Sequence, residues 1–533
     1  MNRRSLVTGV LTSAVAIPLV GQSEGPAQAA VESFNVVEFG AKGDGKQPAT
    51  ESIQRAIDAC AAVGGGVVYV PKGDYLCLTL ELKSNVNLYL AAEARIVATG
   101  KGEDYAGMGA VLFARNARNI AVTGQGGVDG RGRGTKEHRY KIIHFQACRD
   151  ISLIGVELRD SAGWCTHLSE CSGVYIHAVR IDSAVNVNND GFDIDSCENV
   201  TISDCRLRCG DDAIALKTNT VMPCRNITIT NCIISTRWAA FRFGPEAKGN
   251  FENIAVTNCV IHDTFGCGIK LQMNEGAEMK DIVFDNLVME NVTGPISLRL
   301  ANWVGGSIER SGNENRRIGT FNNVQFSNIR ARVSQTAQPK LFGMGEPLPG
   351  EERSCISITG LPGHPVEAIT FSNIDITFPG GGTSEEAARR DVPDMRDTYP
   401  EYFMFGVLPA YGLYAHHVRG LTLQNIRFSL ASADQRPAIV CDDAEDLEIA
   451  NLRAEGNSNA ECLLRLQNMR GAFVHGSRPL SQVSAFVRVE GAQSQGITLT
   501  SNDLRLASKP SEVSGDAHND AVIEISNVTG GNL

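Results

Sequence analysis

A short motif returns along most of this chain: usually Asn or Asp, then alternating apolar residues, then a turn residue. It reads "NIAVTG" at 119, "DISLIG" at 150, "NVTISD" at 199, "NITITN" at 226 and "NIAVTN" at 253. It continues as "DIVFDN" at 281, "NVQFSN" at 323, "AITFSN" at 368, "GLTLQN" at 420 and "DLEIAN" at 446. Strict alternation marks a strand with one buried face. The starts at 199, 226 and 253 are 27 residues apart, and recurrence of strand units at a fixed period marks a solenoid. No helix-length amphipathic stretch separates these strands, which favours a parallel β-helix over leucine-rich or propeller repeats. The expected fold is therefore all-β, a right-handed parallel β-helix. The wider gaps, 282 to 324 and 369 to 421, are expected to be long loops thrown off particular coils and gathered on one face.

Ahead of the repeats, Ile53, Ala56, Ile57 and Ala61 share one side of a helix that Gly64 to Gly66 would end. A short N-terminal capping helix closes the open core of a solenoid. The expected division is 1–29 signal peptide, 30–110 N-terminal cap and first coils, 111–475 β-helix catalytic domain, and 476–533 final coils and C-terminal cap. The leader is "MNRRSLVTGVLTSAVAIPLVGQSEGPAQAA": a charged start, a short apolar run and "AQA" before a cleavage site near Ala29. Arg3 and Arg4 suggest the twin-arginine route. The expected location is exported, periplasmic or secreted, with no membrane anchor.

A net charge of −11 among 533 residues argues against a nucleic-acid partner, which calls for a basic stripe. Fifteen cysteines in an exported chain would ordinarily suggest disulfides. Cys205, Cys232 and Cys259 instead recur every 27 residues, as a ladder of small buried thiols would. That leaves room for one or two disulfides, and the odd count requires a free thiol.

The chemistry concentrates in "NNDGFDID", 188 to 195, and "CGDDAIALK", 209 to 217. Asp190 and Asp211 are 21 residues apart, about one coil, and neighbouring coils lie roughly 4.8 Å apart. Asp190, Asp211 and Asp212 therefore crowd one another. Such repulsion raises at least one pKa and can leave a protonated acid beside ionised ones. Glycoside hydrolysis needs that pair of states. Turn-capping aspartates, as Asp193, Asp195 and Asp204 are read here, and a Ca²⁺ site remain alternative uses of the same acids.

These segments, with "FNVVEFGAKGDGKQPATESIQRAIDACAAVGGGVVYVPKGDY" near the start and "YPEYFMFGVLPAYGLYAHHVRGLTLQN" at 399 to 425, resemble glycoside hydrolase family 28, the polygalacturonases and their relatives. The similarity runs from about residue 34 to at least 428. It implies hydrolysis with inversion, Asp211 as general acid, and Asp190 and Asp212 activating water. It implies a polysaccharide or oligosaccharide substrate and no metal or other cofactor. A β-helix needs no partner chain, so a monomer is expected.

The departures narrow the substrate. Ala239, in "RWAAFRFGPE", stands where the family's polygalacturonases carry a histidine. In "CGIKLQ", Lys270 and Gln272 stand where the family's Arg-Ile-Lys segment grips a galacturonate carboxylate. Arg242 replaces a small polar residue, and its fork suits a carboxylate. Lys217, which closes the second acidic segment, and Trp303 complete the expected substrate-binding set. The pattern points to an exo-acting, side-chain-trimming or rhamnogalacturonan-type enzyme on uronic-acid-containing glycans, rather than a plain endo-polygalacturonase. A polysaccharide lyase on this scaffold and a non-catalytic glycan-binding solenoid stay open. His416 and His417 are read as structural.

Overall fold

A computed structural model describes residues 33–305, 317–335 and 350–530. The leader assigned to 1–29 lies outside the described residues. Each coil of the central region contributes three short strands. Phe192–Asp195, Glu198–Ser203 and Arg206–Cys209 make one coil; Ile214–Thr218, Cys224–Thr230 and Ile233–Thr236 make the next. Every strand pairs in parallel with its equivalent one coil on: Phe192 with Ile214, Val200 with Ile227, Leu207 with Ile234. The chain is a right-handed parallel β-helix whose main sheet contains 41 strands.

The repeated asparagines explain the corners. Asn199, Asn226 and Asn253 have φ of 57°, 57° and 55°. This is left-handed backbone, which Asn tolerates better than most side chains. Their amides form a ladder: Asn226 donates to Asn199 at 3.0 Å, and Asn253 to Asn226 at 3.2 Å. Inside, equal positions stack on equal positions. Phe284, Phe326 and Phe371 are in register, with ring centroids 5.2 and 4.8 Å apart. Burying each ring removes apolar area worth about 1.5–3 kcal/mol.

The helix Thr50–Ala62 covers the N-terminal end of the core. Ile53, Ala56, Ile57 and Cys60 are its buried residues, so Cys60 takes the place expected of Ala61, which is only partly buried. The fifteen cysteines are all buried and none forms a disulfide. Cys205, Cys232 and Cys259 precede the paired residues Arg206, Ile233 and Val260, as a ladder requires. A second ladder, Cys148, Cys171, Cys197 and Cys224, precedes the paired residues Arg149, Ser172, Glu198 and Arg225. Coils continue beyond 476 in Val483–Glu490, Gln495–Thr500 and Ala507–Val513. Among the described residues, no helix is long and apolar enough to cross a membrane.

Of the long insertions, residues 301–305 follow the strand Ile296–Leu300, and residues 379–412 precede the part of Leu413–Leu430 that pairs with Ile356–Thr359. The second insertion holds a short helix, Ser384–Ala388, and a single turn, Tyr402–Phe405.

Candidate active site

The strands Phe192–Asp195, Ile214–Thr218, Ala239–Ala247, Cys267–Met273 and Ile296–Leu300 lie side by side as the floor of one face. Alternation sends Phe192, Ile214, Phe241 and Ile269 into the core. The residues one step on, Asp193, Ala215, Arg242 and Lys270, then form an outward row. A second outward row runs through Asp195 and Lys217, and through Gln272 and Arg299. These polar side chains are nonetheless buried, and the 379–412 insertion lies across Arg242, Lys270 and Arg299.

Asp190 and Asp212 each stand two residues before the paired Phe192 and Ile214. They therefore occupy the same place on neighbouring coils, with Asp211 beside them. All three are buried. Their partners differ. Lys217 Nζ lies 3.3 Å from Asp190 and 2.6 Å from Asp193. Arg242 Nη1 lies 3.4 Å from Asp212, whose other oxygen accepts the Ala239 backbone N–H at 3.1 Å. Asp211 has no cation at ion-pair distance among the described residues. It accepts its neighbour Asp212's backbone N–H at 3.0 Å and the Asn188 amide at 3.3 Å.

Burial, reinforced by the charges of Asp190 and Asp212, holds the Asp211 carboxyl well above the usual carboxylate range. Burial also raises Asp190, with the Asp193 charge adding to it and Lys217 opposing. Asp193 is pushed up to about 6, chiefly by burial. Lys217 stays charged: burial would lower it, but Asp193 and Asp190 outweigh that. Its ammonium also sits 3.7 Å from the centre of the Trp164 ring.

Glu401, from the insertion, was not singled out from the sequence. Only 3% of its side chain is exposed, and its carboxylate reaches 2.6 Å from Lys270 Nζ and 3.1 Å from Arg242 Nη1. The Trp238 indole donates to it at 3.1 Å. Burial would raise its pKa, but Lys270 and Arg242 hold it below the usual glutamate value. Arg242 also donates to the Tyr399 hydroxyl at 2.7 Å and the Gly244 carbonyl at 3.2 Å. Arg299 pins the insertion: it donates to the carbonyls of Glu401 at 2.6 Å and Met395 at 2.8 Å, and to the Thr398 hydroxyl at 2.7 Å.

The expected site residues are thus distributed as follows. Asp190, Asp211, Asp212, Lys217 and Arg242 form one connected polar cluster, and Lys270 joins it through Glu401. Arg242 is not the surface ion pair that a long exposed side chain would make; it is a buried one. Gln272 is fully buried, and among the described residues neither of its amide atoms is hydrogen-bonded. Trp303 is half-buried and packs edge-on against Tyr399, with ring centroids 4.9 Å apart. Tyr402, Phe403 and Phe405 are buried against the β-helix: Tyr402 and Phe403 pack on Cys267 and Trp238, and Phe405 joins the main core beneath the Arg299 guanidinium. Asp195 binds His167 at 3.2 Å and Asn219 at 2.9 Å, and half-exposed Asp204 sits at a corner. Asp193, by contrast, belongs to the cluster; its place in the outward row of the alternating "FDID" was the available signal. On the far flank, Asp394, His416 and His417 bring three donor atoms within 4.8 Å of one another, a set able to hold a metal ion.

Buried carboxylates and cations lining the outer floor of a parallel β-helix define a carbohydrate-active solenoid. The chain belongs to the glycosyl hydrolases family 28, whose model matches residues 60–388. It is 28% identical over 197 residues to a probable polygalacturonase of Arabidopsis thaliana, covering 35% of this chain and 43% of that one. The chain spans about half the length of the curated relatives it matches. An exopolygalacturonase of Thermotoga maritima shares the fold with TM-score 0.58 and 22% identity, over 75% of this chain and 92% of that one. A family 28 exopolygalacturonase of Yersinia enterocolitica does so with TM-score 0.59 and 18% identity, over 80% and 79%.

Proposed function

We propose that the protein is an exported, monomeric glycoside hydrolase acting on pectin-type or other uronic-acid-containing glycans, with inversion at the anomeric carbon. Asp211 protonates the leaving oxygen, and Asp190 and Asp212 draw the proton from the attacking water. The observation that carries this assignment is the uneven sharing of cations. Lys217 stands on Asp190, opposing the rise that burial imposes on it, and Arg242 stands on Asp212; Asp211 has no cation at ion-pair distance among the described residues, and burial holds its carboxyl well above the usual range. A general acid and a general base can then coexist at one pH.

The insertion supports exo-acting or side-chain cleavage, since it occupies part of the floor along which a long internal segment would have to lie. The likeness to two exopolygalacturonases supports the same reading. A substrate contact is assigned to Trp303, with Lys217 orienting Asp190.

The test is a reducing-end assay across a panel of pectic and other uronic-acid glycans, read in parallel for ultraviolet absorbance of unsaturated product. New reducing ends without absorbance, lost in Asp211→Asn, are expected. Absorbance would assign a lyase, and binding without turnover in the unmodified protein would assign a glycan-binding solenoid.

A further inference from the structure

Two cations beside a catalytic acid would ordinarily wait for a substrate carboxylate. Here the position is already filled. We propose that Glu401 permanently takes the place of a sugar carboxylate beside Asp212, so that the glycosyl unit seated there is neutral even where the rest of the glycan carries uronates. This rests on the hydrolase reading above and names the substrate class of one position within it.

Charge is the first argument. Arg242 and Lys270 supply two positive charges; Asp212 and Glu401 supply two negative ones. All four side chains are buried, at 2%, 0%, 6% and 3% exposure. These four charges cancel, Glu246 acts on Arg242 as a further negative group, and all four side chains are out of solvent. A uronate entering this group would add an unmatched negative charge in a medium that screens poorly.

Donor supply is the second. The Arg242 Nε is committed to the Gly244 carbonyl, Nη1 to Glu401 and Asp212, and Nη2 to Tyr399. No fork remains for a bidentate carboxylate. Lys270 points at Glu401, with its ammonium 4.4 Å from the centre of the Trp238 ring and 5.7 Å from that of Tyr402.

Rigidity is the third. Glu401 does not hang from a free loop. Its own carbonyl is gripped by Arg299, which also holds Met395 and Thr398 on the approach and has its guanidinium 4.6 Å from the centre of the Phe405 ring. The backbone that carries the carboxylate is thus fixed in place over the two cations.

The experiment uses the full chain, Glu401→Ala and Glu401→Gln. The probes are trigalacturonic acid and its methyl ester, the same sugars with their carboxylates capped, and binding is measured by calorimetry. The wild type is expected to favour the ester, or to bind neither. Glu401→Ala uncovers both cations and is expected to gain about tenfold or more in affinity for the free acid, the scale of charge-assisted hydrogen bonds in a buried pocket. Glu401→Gln is expected to fall between them. Millimolar acetate should raise the unfolding midpoint of Glu401→Ala and leave the wild type unmoved, which also reports that the variant folds. Free-acid binding by the wild type that Glu401→Ala leaves unchanged, or failure of acetate and free acid to bind any of the three, overturns the proposal. These readouts need no turnover, so they stand apart from the loss of activity in Asp211→Asn that tests the hydrolase reading.

Discussion

Replacing Lys217 by Met removes the one cation at ion-pair distance from Asp190 and Asp193 among the described residues, while keeping the length of the side chain. Lys217 is 4% exposed, 2.6 Å from Asp193 and 3.3 Å from Asp190, so no surface solvent replaces it. At least one of the two acids must then be held protonated in the folded state. An aspartic acid with an unfolded pKa near 3.9 costs about 1.4 kcal/mol per pH unit to keep protonated, so about 4 kcal/mol at pH 7 and about 1.5 kcal/mol at pH 5 are upper bounds on the change, because burial already raises both acids in the wild type. The sign follows from linkage. A carboxyl whose folded pKa is raised imposes no penalty below its unfolded value, and the penalty grows as pH rises toward the folded one. Lys217→Met is therefore expected to be much less stable than the wild type at pH 7 and to recover most of the gap at pH 5. Urea unfolding midpoints at the two pH values measure it. A deficit that is equal at both, or larger at pH 5, would mean that lost packing on Trp164 sets the cost and that the charge argument is wrong.

Asp211→Asn should reduce turnover by about 10²–10⁴-fold while glycan binding persists, measured by reducing ends and calorimetry on the same glycan. The wild-type rate should fall on the alkaline side as Asp211, raised above the usual carboxylate range, loses its proton; a rate still climbing well above neutral pH would remove it as the acid. Arg299→Met should free the insertion, seen as cleavage within 379–412 at least about tenfold faster in limited proteolysis, together with weakened discrimination against the free acid. Phe326→Ala, in the middle of the Phe284–Phe371 stack, should destabilise by about 3–5 kcal/mol in chemical unfolding with the site chemistry intact.

The solenoid was legible because its constraints are local and repeated. Alternation fixes which side chains point inward, and the corner asparagines fix where the backbone turns left-handed. The spacing of Cys205, Cys232 and Cys259 foretold a register that the strands obey. Asp190, Asp211 and Asp212 were legible for the same reason, since one coil separates them. What escaped the sequence arrives from the insertions. Glu401 meets Arg242 across 159 residues, and no periodicity governs where a 34-residue excursion sets down a side chain. Lys217 was placed among substrate contacts, whereas its ammonium is spent on Asp190 and Asp193. The corner reading of Asp193 failed because a carboxylate in the strand's outward row behaves unlike one at a turn.

The thiol ladders set a condition on the history of the molecule. Fifteen cysteines outside any disulfide, seven of them stacked at equal positions on successive coils, are protected only while those coils stay closed. In an oxidising medium each unfolding event offers neighbours that can cross-link in the wrong order, and a chain so linked cannot rewind. The native state then depends on never opening, more than on how often it would re-form. A protein built this way has to be wound before it meets an oxidant, and its lifetime afterwards is set by the rate at which the coils part.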